Sequence, residues 1–361
     1  MKIKLTIFVV VLVLFALTGC CFPSGGVSTT AKTTIPETTT AETTAPESTA
    51  PETTIPVTTI PETTAQSALE KGEYIKYINP LSYSSDYTVE IRFNPDNVIN
   101  SINAYIPTPS VWDSQKNVQL NGYTSGGVLN GDNLNNKYIS YDKEDMSGSN
   151  LSMAENFSFT CYEIVTDLNI ENIPPYDKNS SIYKLYTKDE FQIETNYFRP
   201  ITPAIIGGET NVIKQARAIY DYVISNMSYV PQGDLRGAKF AYENKGGECG
   251  EYSSLFVAMA RSIGIPARPV LGLWAEPSYG NLHVWAEFYL QDIGWIPVDP
   301  TIGQDNNKDY YFGNLDNKRL IMSKGYNVNL EGKIAGAFQT GAFWWYGTGS
   351  GPEFNFKYTK N

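Results

Sequence analysis

The spacing of apolar residues changes near residue 200, and this change limits what the 361-residue chain can fold into. From residue 67 to about 195, apolar and polar residues alternate, as in YTVEIRF (87–93), INAYIP (102–107) and NFSFTCYEI (156–164). Alternation with a period of two predicts half-buried strands. After residue 200 the apolar residues recur at helical spacing. The sequence therefore predicts an α+β protein, with a β-sandwich-like domain (67–195) before a domain of helices and strands (196–330).

One cysteine falls within the alternating region. Cys161 shares the apolar face of its predicted strand with Phe157 and Phe159. Free cysteines behave as small apolar residues and are among the most buried of all residue types. We therefore expect a buried thiol at this position, with a disulfide or a reactive role as the alternative.

The N-terminus has the features of an export signal. Lys2 and Lys4 precede the apolar run TIFVVVLVLFALTGC, which is short for a membrane span, so residues 1–19 are predicted to be a signal peptide. The run ends in LTGC, which resembles the Leu-x-Gly-Cys lipobox of prokaryotic lipoproteins. That resemblance implies cleavage before Cys20, lipid attachment to Cys20 and a location on the extracellular face of the cell membrane. A plain secretory signal is the alternative.

The segment after the signal differs from the rest of the chain in composition. Residues 29–66 consist of imperfect Pro-Glu-Thr-Thr units that offer little apolar surface to bury. We expect residues 20–66 to form a disordered linker that holds the folded part away from the membrane. The net charge of -11, without a basic cluster, argues against a nucleic-acid partner.

Two helices are predicted beyond residue 200, and the second begins at a cysteine. The first covers NVIKQARAIYDYVISNMSYV (211–230), and the second covers CGEYSSLFVAMARSI (249–263) and is ended by Gly264. At a helix N-terminus the dipole lowers the pKa of a thiol and favours the thiolate. The neighbouring residues Gly246, Gly247 and Gly250 predict an open approach to Cys249. These features suit a nucleophile, although a packed structural cysteine is the alternative.

The strands after this helix supply a base and a carboxylate. LHVWAEFYL (282–290) and GWIPVDP (294–300) form a predicted antiparallel hairpin, in which His283 and Asp299 can lie close together. His283 is the only histidine of the chain. A thiolate can attack an acyl carbon, an imidazole can carry its proton, and a carboxylate can orient the imidazole. Backbone N–H groups at the helix start, including that of Cys249, can stabilise the oxyanion.

The sequence from Gly246 to Pro300 resembles the transglutaminase-like superfamily. The shared motifs are Gly-x-Cys at 247–249, Arg-x-x-Gly-Ile-Pro-Ala-Arg at 261–268, His-x-Trp-x-Glu at 283–287 and Gly-Trp-x-Pro-x-Asp-Pro at 294–300. The resemblance implies a papain-like core in which the cysteine-bearing helix packs on an antiparallel sheet. It also implies a triad of Cys249 as nucleophile, His283 as base and Asp299 as orienting residue. It further implies a second oxyanion donor upstream of the cysteine, for which Gln232 and Tyr242 are weak candidates, while Trp285 and Trp295 are expected to wall the site.

Members of this superfamily react through a thioester, so the resemblance implies a peptide or protein substrate. An amine acceptor would give a cross-link and water would give hydrolysis, and the sequence leaves both open. No clustered calcium-binding loop is seen in the sequence, so we expect no metal and no cofactor. The alternative function is a surface scaffold or adhesion module that keeps the fold without using it. The aromatic tail (331–361) is expected to pair as terminal strands on the core.

Overall fold

The computed structural model describes residues 69–361, apart from 72–73, 147–148, 232 and 277–281. The predicted signal peptide, Cys20 and the linker lie outside the described residues. The strands are β1 (Leu69–Lys71), β2 (Ile75–Arg92), β3 (Val98–Thr108), β4 (Gln115–Tyr123), β5 (Val128–Gly131), β6 (Lys137–Glu144), β7 (Leu151–Thr166), β8 (Ser228–Tyr229), β9 (Gly246–Gly247), β10 (Ala267–Trp274), β11 (Leu282–Leu290), β12 (Gly294–Val298), β13 (Arg319–Lys324), β14 (Val328–Leu330), β15 (Lys333–Ala335), β16 (Ala342–Thr348) and β17 (Glu353–Lys360). The helices are α1 (Ser181–Tyr186), α2 (Thr195–Phe198), α3 (Thr202–Ile206), α4 (Val212–Asn226), α5 (Gly237–Asn244), α6 (Cys249–Ser262) and α7 (Pro300–Asp305).

The N-terminal strands form two antiparallel sheets around one apolar core. In the first sheet β2 pairs with β1, β7 and β17, and β7 also pairs with β4; the second has the order β16-β3-β6-β5. Val89 and Phe157 of the first sheet and Ile102 and Ile139 of the second are fully buried in the same cluster. The alternating pattern of the sequence therefore predicts the strands of this sandwich correctly, because the apolar face of each sheet turns inward.

The tail completes these N-terminal sheets. Strand β16 pairs with β3 and β17 pairs with β2, both antiparallel. The tail does not join the sheet that carries His283, whose four strands are β12, β11, β10 and β13. Its pairing partners lie more than 200 residues earlier in the chain, so local sequence gives no information about them.

The third main sheet supports the buried helix α6. Its strand order is β12-β11-β10-β13, and all of its pairings are antiparallel. Every residue of α6 is buried, and Phe256 of α6 packs against Phe288 of β11 with ring centroids 6.3 Å apart. The predicted arrangement, a cysteine-bearing helix on an antiparallel sheet, is confirmed.

Two elements near α6 differ from the sequence prediction. The helix predicted for 211–230 ends at Asn226, because Met227 is extended and the next two residues pair in parallel with Gly246 and Gly247. The stretch between the two predicted helices, for which no helix is predicted, contains α5, which packs against α6. Its residues Ala238 and Ala241 are fully buried. Tertiary packing therefore stabilises this helix, although its local sequence gives only a weak helical signal.

Cys161 is a free, buried thiol on β7, as the sequence predicts. Its Sγ lies 3.0 Å from the carbonyl oxygen of Arg319. Burial, with a smaller contribution from Asp316, raises the pKa of Cys161 well above its ordinary value.

Candidate active site

Helix α6 begins at Cys249, and its first turn is held by a capping box. Glu248 is the N-cap residue: its side chain accepts a hydrogen bond from the backbone N–H of Glu251, and the Glu251 carboxylate accepts one from the N–H of Glu248 (3.0 Å). The cysteine therefore occupies the first helical position, as the sequence predicts. The dipole of α6 favours a negative charge at this end.

The glycines around Cys249 serve close packing rather than open approach. A Cβ at Gly247 would collide with the side chain of Glu251, and one at Gly250 would lie 2.7 Å from Cδ1 of Leu235. Cys249 itself is only 3% exposed. The prediction of an uncrowded approach is therefore wrong, because neighbouring side chains occupy the space that the glycines leave.

His283 lies on β11, and its ring stacks on two indoles. The ring centroids of Trp274 and Trp285 lie 5.0 Å and 6.0 Å from that of His283, and both rings are close to parallel with it. His283 is 2% exposed. This stacking fixes the plane of the imidazole, so its two nitrogens point in defined directions.

Asp299 lies where β12 gives way to α7. The predicted strand over 294–300 ends at Val298, and Asp299 is the N-cap of α7: its Oδ1 accepts a hydrogen bond from the N–H of Ile302 (3.0 Å). Its Oδ2 lies 2.7 Å from Nε2 of His283. Since an ionised carboxylate only accepts hydrogen bonds, Nε2 carries the proton, and Nδ1 is the nitrogen left to act as a base.

The Asp299 carboxylate is held in its ionised form. Burial by itself would raise its pKa, but the charges of His283 and Arg319 and its hydrogen bonds hold the pKa well below the ordinary value for aspartate. Asp299 is fully buried, so its negative charge is offset by these partners rather than by solvent.

Arg319, on β13, is a site residue that the sequence analysis missed. Its Nη1 donates to Oδ2 of Asp299 (2.6 Å), and its Nη2 donates to Oδ2 of Asp316 (2.9 Å). The guanidinium carbon lies 4.5 Å from the ring centroid of Trp274 and 5.4 Å from that of Trp285. Arg319 therefore contacts both the carboxylate and the two indoles that stack on His283.

The helix and the hairpin meet close to both proposed reacting residues. Ser253, one helical turn after Cys249, donates from Oγ to the carbonyl oxygen of Val284 (3.1 Å), the residue after His283. The structure thus joins His283 and Asp299 by a direct hydrogen bond. It places Cys249 at the start of the helix that packs on their hairpin.

Tyr326 is a second buried residue that the sequence analysis missed. Its hydroxyl donates to the carbonyl oxygen of Gly250 (3.4 Å) and accepts from Oγ of Ser254 (3.3 Å). Burial, with smaller contributions from Glu251 and Cys249, raises the pKa of Tyr326, so the hydroxyl stays neutral. It therefore ties the first turn of α6 to the loop after β13.

The two upstream candidates for an oxyanion donor have different outcomes. Gln232 lies outside the described residues. Tyr242 lies on α5, where its ring packs against the rings of Tyr197, Phe198 and Tyr222. These contacts assign Tyr242 to an aromatic cluster of helices α2, α4 and α5.

The two tryptophans that were expected to wall the site have separate surroundings. Trp285 is fully buried beside His283. Trp295 instead packs on the guanidinium of Arg268, whose carbon lies 3.9 Å from the ring centroid. It lines a cavity of about 250 Å³ together with the buried ion pairs of Glu287, which accepts hydrogen bonds from Arg268 and Lys324. The expectation is therefore wrong for Trp295.

Metal-binding clusters and membrane-spanning helices are both absent from the described residues. Within the ranges described above, no three or more His, Cys, Asp and Glu side chains are grouped so that they could hold a metal ion. No helix of that part of the chain is long and apolar enough to cross a membrane.

The fold agrees with the protein family that part of the sequence resembles. Residues 199–300 match the profile of the transglutaminase-like superfamily, so the chain carries a transglutaminase-like core. A solved structure from Cytophaga hutchinsonii, described as a candidate cysteine protease, has a similar fold, with a TM-score of 0.59 at 12% identity over 79% of this chain and 92% of that chain.

Curated relatives are similar over shorter stretches. An uncharacterised protein of Haemophilus influenzae is 31% identical over 155 residues, which cover 35% of this chain and 42% of the relative. The protein-glutamine gamma-glutamyltransferase of Pseudomonas aeruginosa is 32% identical over 72 residues, which cover 17% of this chain and 11% of the relative. The matches thus span less than half the length of these curated relatives.

Proposed function

We propose that this protein is a cell-surface thiol enzyme that forms a thioester at Cys249 and transfers or hydrolyses amide-linked acyl groups of peptides or proteins. The observation that carries the proposal is the hydrogen bond between His283 and Asp299, because it leaves Nδ1 as the base beside a helix that begins with a cysteine. In this proposal Cys249 is the nucleophile, His283 is the base and Asp299 orients the imidazole.

In the proposed reaction the sulfur of Cys249 attacks the carbonyl carbon of an amide, and Nδ1 of His283 takes the thiol proton. The tetrahedral oxyanion accepts a hydrogen bond at the positive end of α6, where one donor is worth about 10²–10³ in rate. The C–N bond then breaks, and the imidazolium returns the proton to the leaving amine or ammonia. Asp299 stays ionised and stabilises the imidazolium.

The thioester is resolved by a second nucleophile. His283 takes a proton from water or from an amine, which attacks the acyl carbon, and then returns a proton to the departing sulfur of Cys249. Water gives hydrolysis, and a primary amine gives a new amide. The name of the Pseudomonas relative supports glutamine side chains as acyl donors in this protein as well.

The proposed location follows from the N-terminal sequence. The LTGC motif supports lipid attachment at Cys20, and the Thr- and Pro-rich linker would then hold the enzyme above the extracellular face of the membrane. Substrates in this account are peptides or proteins outside the cell.

One observation favours the alternative, a scaffold that does not use the fold for catalysis. Cys249 is 3% exposed, so a substrate carbonyl reaches the sulfur only after neighbouring groups move. An enzyme would need such an opening, and a scaffold would not.

The deciding experiment is a screen of the full-length protein, purified in detergent, with glutamine-containing peptides. We expect ammonia release that depends on Cys249, together with peptide–amine conjugates when a primary amine is added. The Cys249→Ala variant is the control for background hydrolysis. Chelator in the assay should leave the rate unchanged, because no metal takes part in the proposed steps. No ammonia, amine or conjugate above that of the control would favour the scaffold.

A further inference from the structure

Arg319 shares one oxygen atom with the proposed base. Oδ2 of Asp299 lies 2.7 Å from Nε2 of His283 and 2.6 Å from Nη1 of Arg319. Both side chains that approach this oxygen are buried, His283 at 2% and Arg319 at 4% exposure. Two hydrogen-bond donors, one of them a permanent cation, therefore share one acceptor atom in a buried site.

This sharing has an electrostatic consequence. Asp299 favours the protonated imidazole, because opposite charges in close contact stabilise each other. The guanidinium of Arg319 opposes that effect, since a second cation near the same carboxylate disfavours a new positive charge on His283. The proton on the imidazole is therefore held less tightly than Asp299 alone would hold it.

A second carboxylate balances the guanidinium. Asp316 accepts from Nη2 (2.9 Å) and Nε (3.2 Å) of Arg319, and it is more exposed than Asp299. With a neutral His283 these side chains sum to one negative charge, and with a protonated His283 they sum to zero. The cluster thus accepts one proton without leaving a net buried charge.

Two tyrosines that interact with Asp299 or Arg319 stay neutral near neutral pH. Tyr311, after α7, has a pKa raised to about 12, mainly by burial. Tyr220 of α4 has its pKa raised further, again mainly by burial, with a contribution from the charge of Asp299. Cys249 of α6, the proposed nucleophile, is the group that would exchange a proton with His283.

Aromatic contacts connect Arg319 to the same imidazole by a second route. Trp274 stacks on His283, and Arg319 lies over the ring of Trp274 with its guanidinium carbon 4.5 Å from the centroid. Trp274 and Arg319 are also paired across strands β10 and β13. The guanidinium is therefore fixed in place by a strand pairing as well as by two carboxylates.

We infer that Arg319 is a positioning residue, which fixes Asp299 through Oδ2 and limits how tightly His283 holds its proton. The consequence for catalysis rests on the proposed function: a more acidic imidazolium returns its proton to the leaving amine more readily. A purely structural arginine would join β13 to the start of α7 without affecting the titration of His283.

The test uses the fact that the chain contains a single histidine. The full-length protein in detergent, labelled with ¹³C at histidine Cε1, gives one NMR signal whose shift against pH reports the titration of His283. Arg319→Gln removes the cation, so we expect the pKa of His283 to rise by at least about one unit. Asp316→Asn removes a nearby negative charge and keeps the guanidinium, so the pKa should fall. Arg319→Lys keeps the charge, so the pKa of His283 in this variant should lie closer to the wild-type value than it does in Arg319→Gln.

The two variants are expected to shift the pKa of His283 in opposite directions, and this distinguishes an electrostatic role of Arg319 from a structural one. Loss of local structure would move both the Arg319→Gln and the Asp316→Asn variants toward the pKa of free histidine, in the same direction. Equal or absent shifts in the two variants would overturn the inference. If Arg319→Gln does not fold, Asp316→Asn is compared with Arg319→Lys: a fall in the pKa of His283 in Asp316→Asn with a value close to wild type in Arg319→Lys supports the inference, and any other result overturns it.

The readout needs no substrate, so its failure is separate from failure of the proposed function. If Arg319→Gln shifts the pKa of His283 as expected but the protein has no amide turnover, the enzyme proposal is wrong and the electrostatic inference stands. If the protein turns over amides but the pKa of His283 does not change in Arg319→Gln, only the electrostatic inference is wrong.

Discussion

The two oxygens of Asp299 have different partners: Oδ2 lies 2.7 Å from Nε2 of His283 and also accepts from Arg319, while Oδ1 accepts the N–H of Ile302 and caps α7. One side chain thus orients the imidazole and begins the helix that follows the hairpin. Changes at Asp299 should therefore affect turnover and stability separately, depending on which oxygen is lost.

The Asp299→Asn variant should lose turnover while keeping the fold. An asparagine can still accept the N–H of Ile302, but its amide would present N–H groups to His283 and move the imidazole proton onto Nδ1. That tautomer cannot act as the base, so we expect kcat for peptide glutamine to fall by about 10⁴. A kcat within tenfold of wild type would contradict the role given to Asp299.

Asp299→Ala is the matched control for this prediction. It removes the cap as well as the partner of His283, so it should unfold more easily than Asp299→Asn by about 1 kcal/mol in urea titrations. Equal stability of the two variants would show that Oδ1 does not cap α7 in solution.

A buried carboxyl in the β-sandwich predicts a pH dependence of stability. Glu155 is fully buried, and this burial raises its pKa well above the ordinary value, even though Oγ1 of Thr108 donates to it. Above a pH of about 4.3 the unfolded chain releases this proton while the folded chain keeps it. The contribution of Glu155 to the free energy of unfolding therefore falls as pH rises, by about 1.4 kcal/mol per pH unit until the folded-state pKa is reached.

Glu155→Gln tests this assignment. Glutamine does not titrate, so the variant should gain stability relative to wild type between pH 5 and pH 7 in urea titrations. Glu171→Gln, at an exposed position, is the control and should run parallel to wild type. If the gap between Glu155→Gln and wild type is the same at both pH values, Glu155 is ionised in the folded protein.

The anchor predicted at Cys20 is tested by cell fractionation. Cys20→Ser removes the sulfur that would carry the lipid, so the variant should leave the membrane fraction, whereas Cys21→Ser should not. A Cys20→Ser protein that sediments with membranes as wild type does would rule out the lipid anchor.

The parts of the fold that the sequence predicts well are those with local signals. Alternation over residues 87–93 and 156–164 marks strands of the sandwich, and the 3.6-residue spacing after Cys249 marks α6. The single histidine and the motifs around it locate β11. In each case neighbouring residues carry the whole pattern.

The parts that the sequence does not predict depend on contacts between distant segments. Arg319 joins Asp299 because β13 pairs with β10, and nothing in its local sequence indicates that pairing. Tyr326 reaches the start of α6 from the loop after β13. The crowding around Gly250 arises from Leu235, which precedes α5, so the glycine pattern alone suggests open space that the fold fills.

The central claim is that Cys249 is a nucleophile activated by His283, and thiol labelling tests it most directly. The folded full-length protein is treated with iodoacetamide at neutral pH, and the modified peptides are followed by mass spectrometry. Cys161 is the internal reference, because its buried Sγ lies 3.0 Å from the carbonyl oxygen of Arg319 and burial raises its pKa. We predict that Cys249 labels at least about tenfold faster than Cys161, and that His283→Ala slows the labelling of Cys249. Equal rates at the two cysteines, or a rate at Cys249 that does not change without His283, would contradict the account.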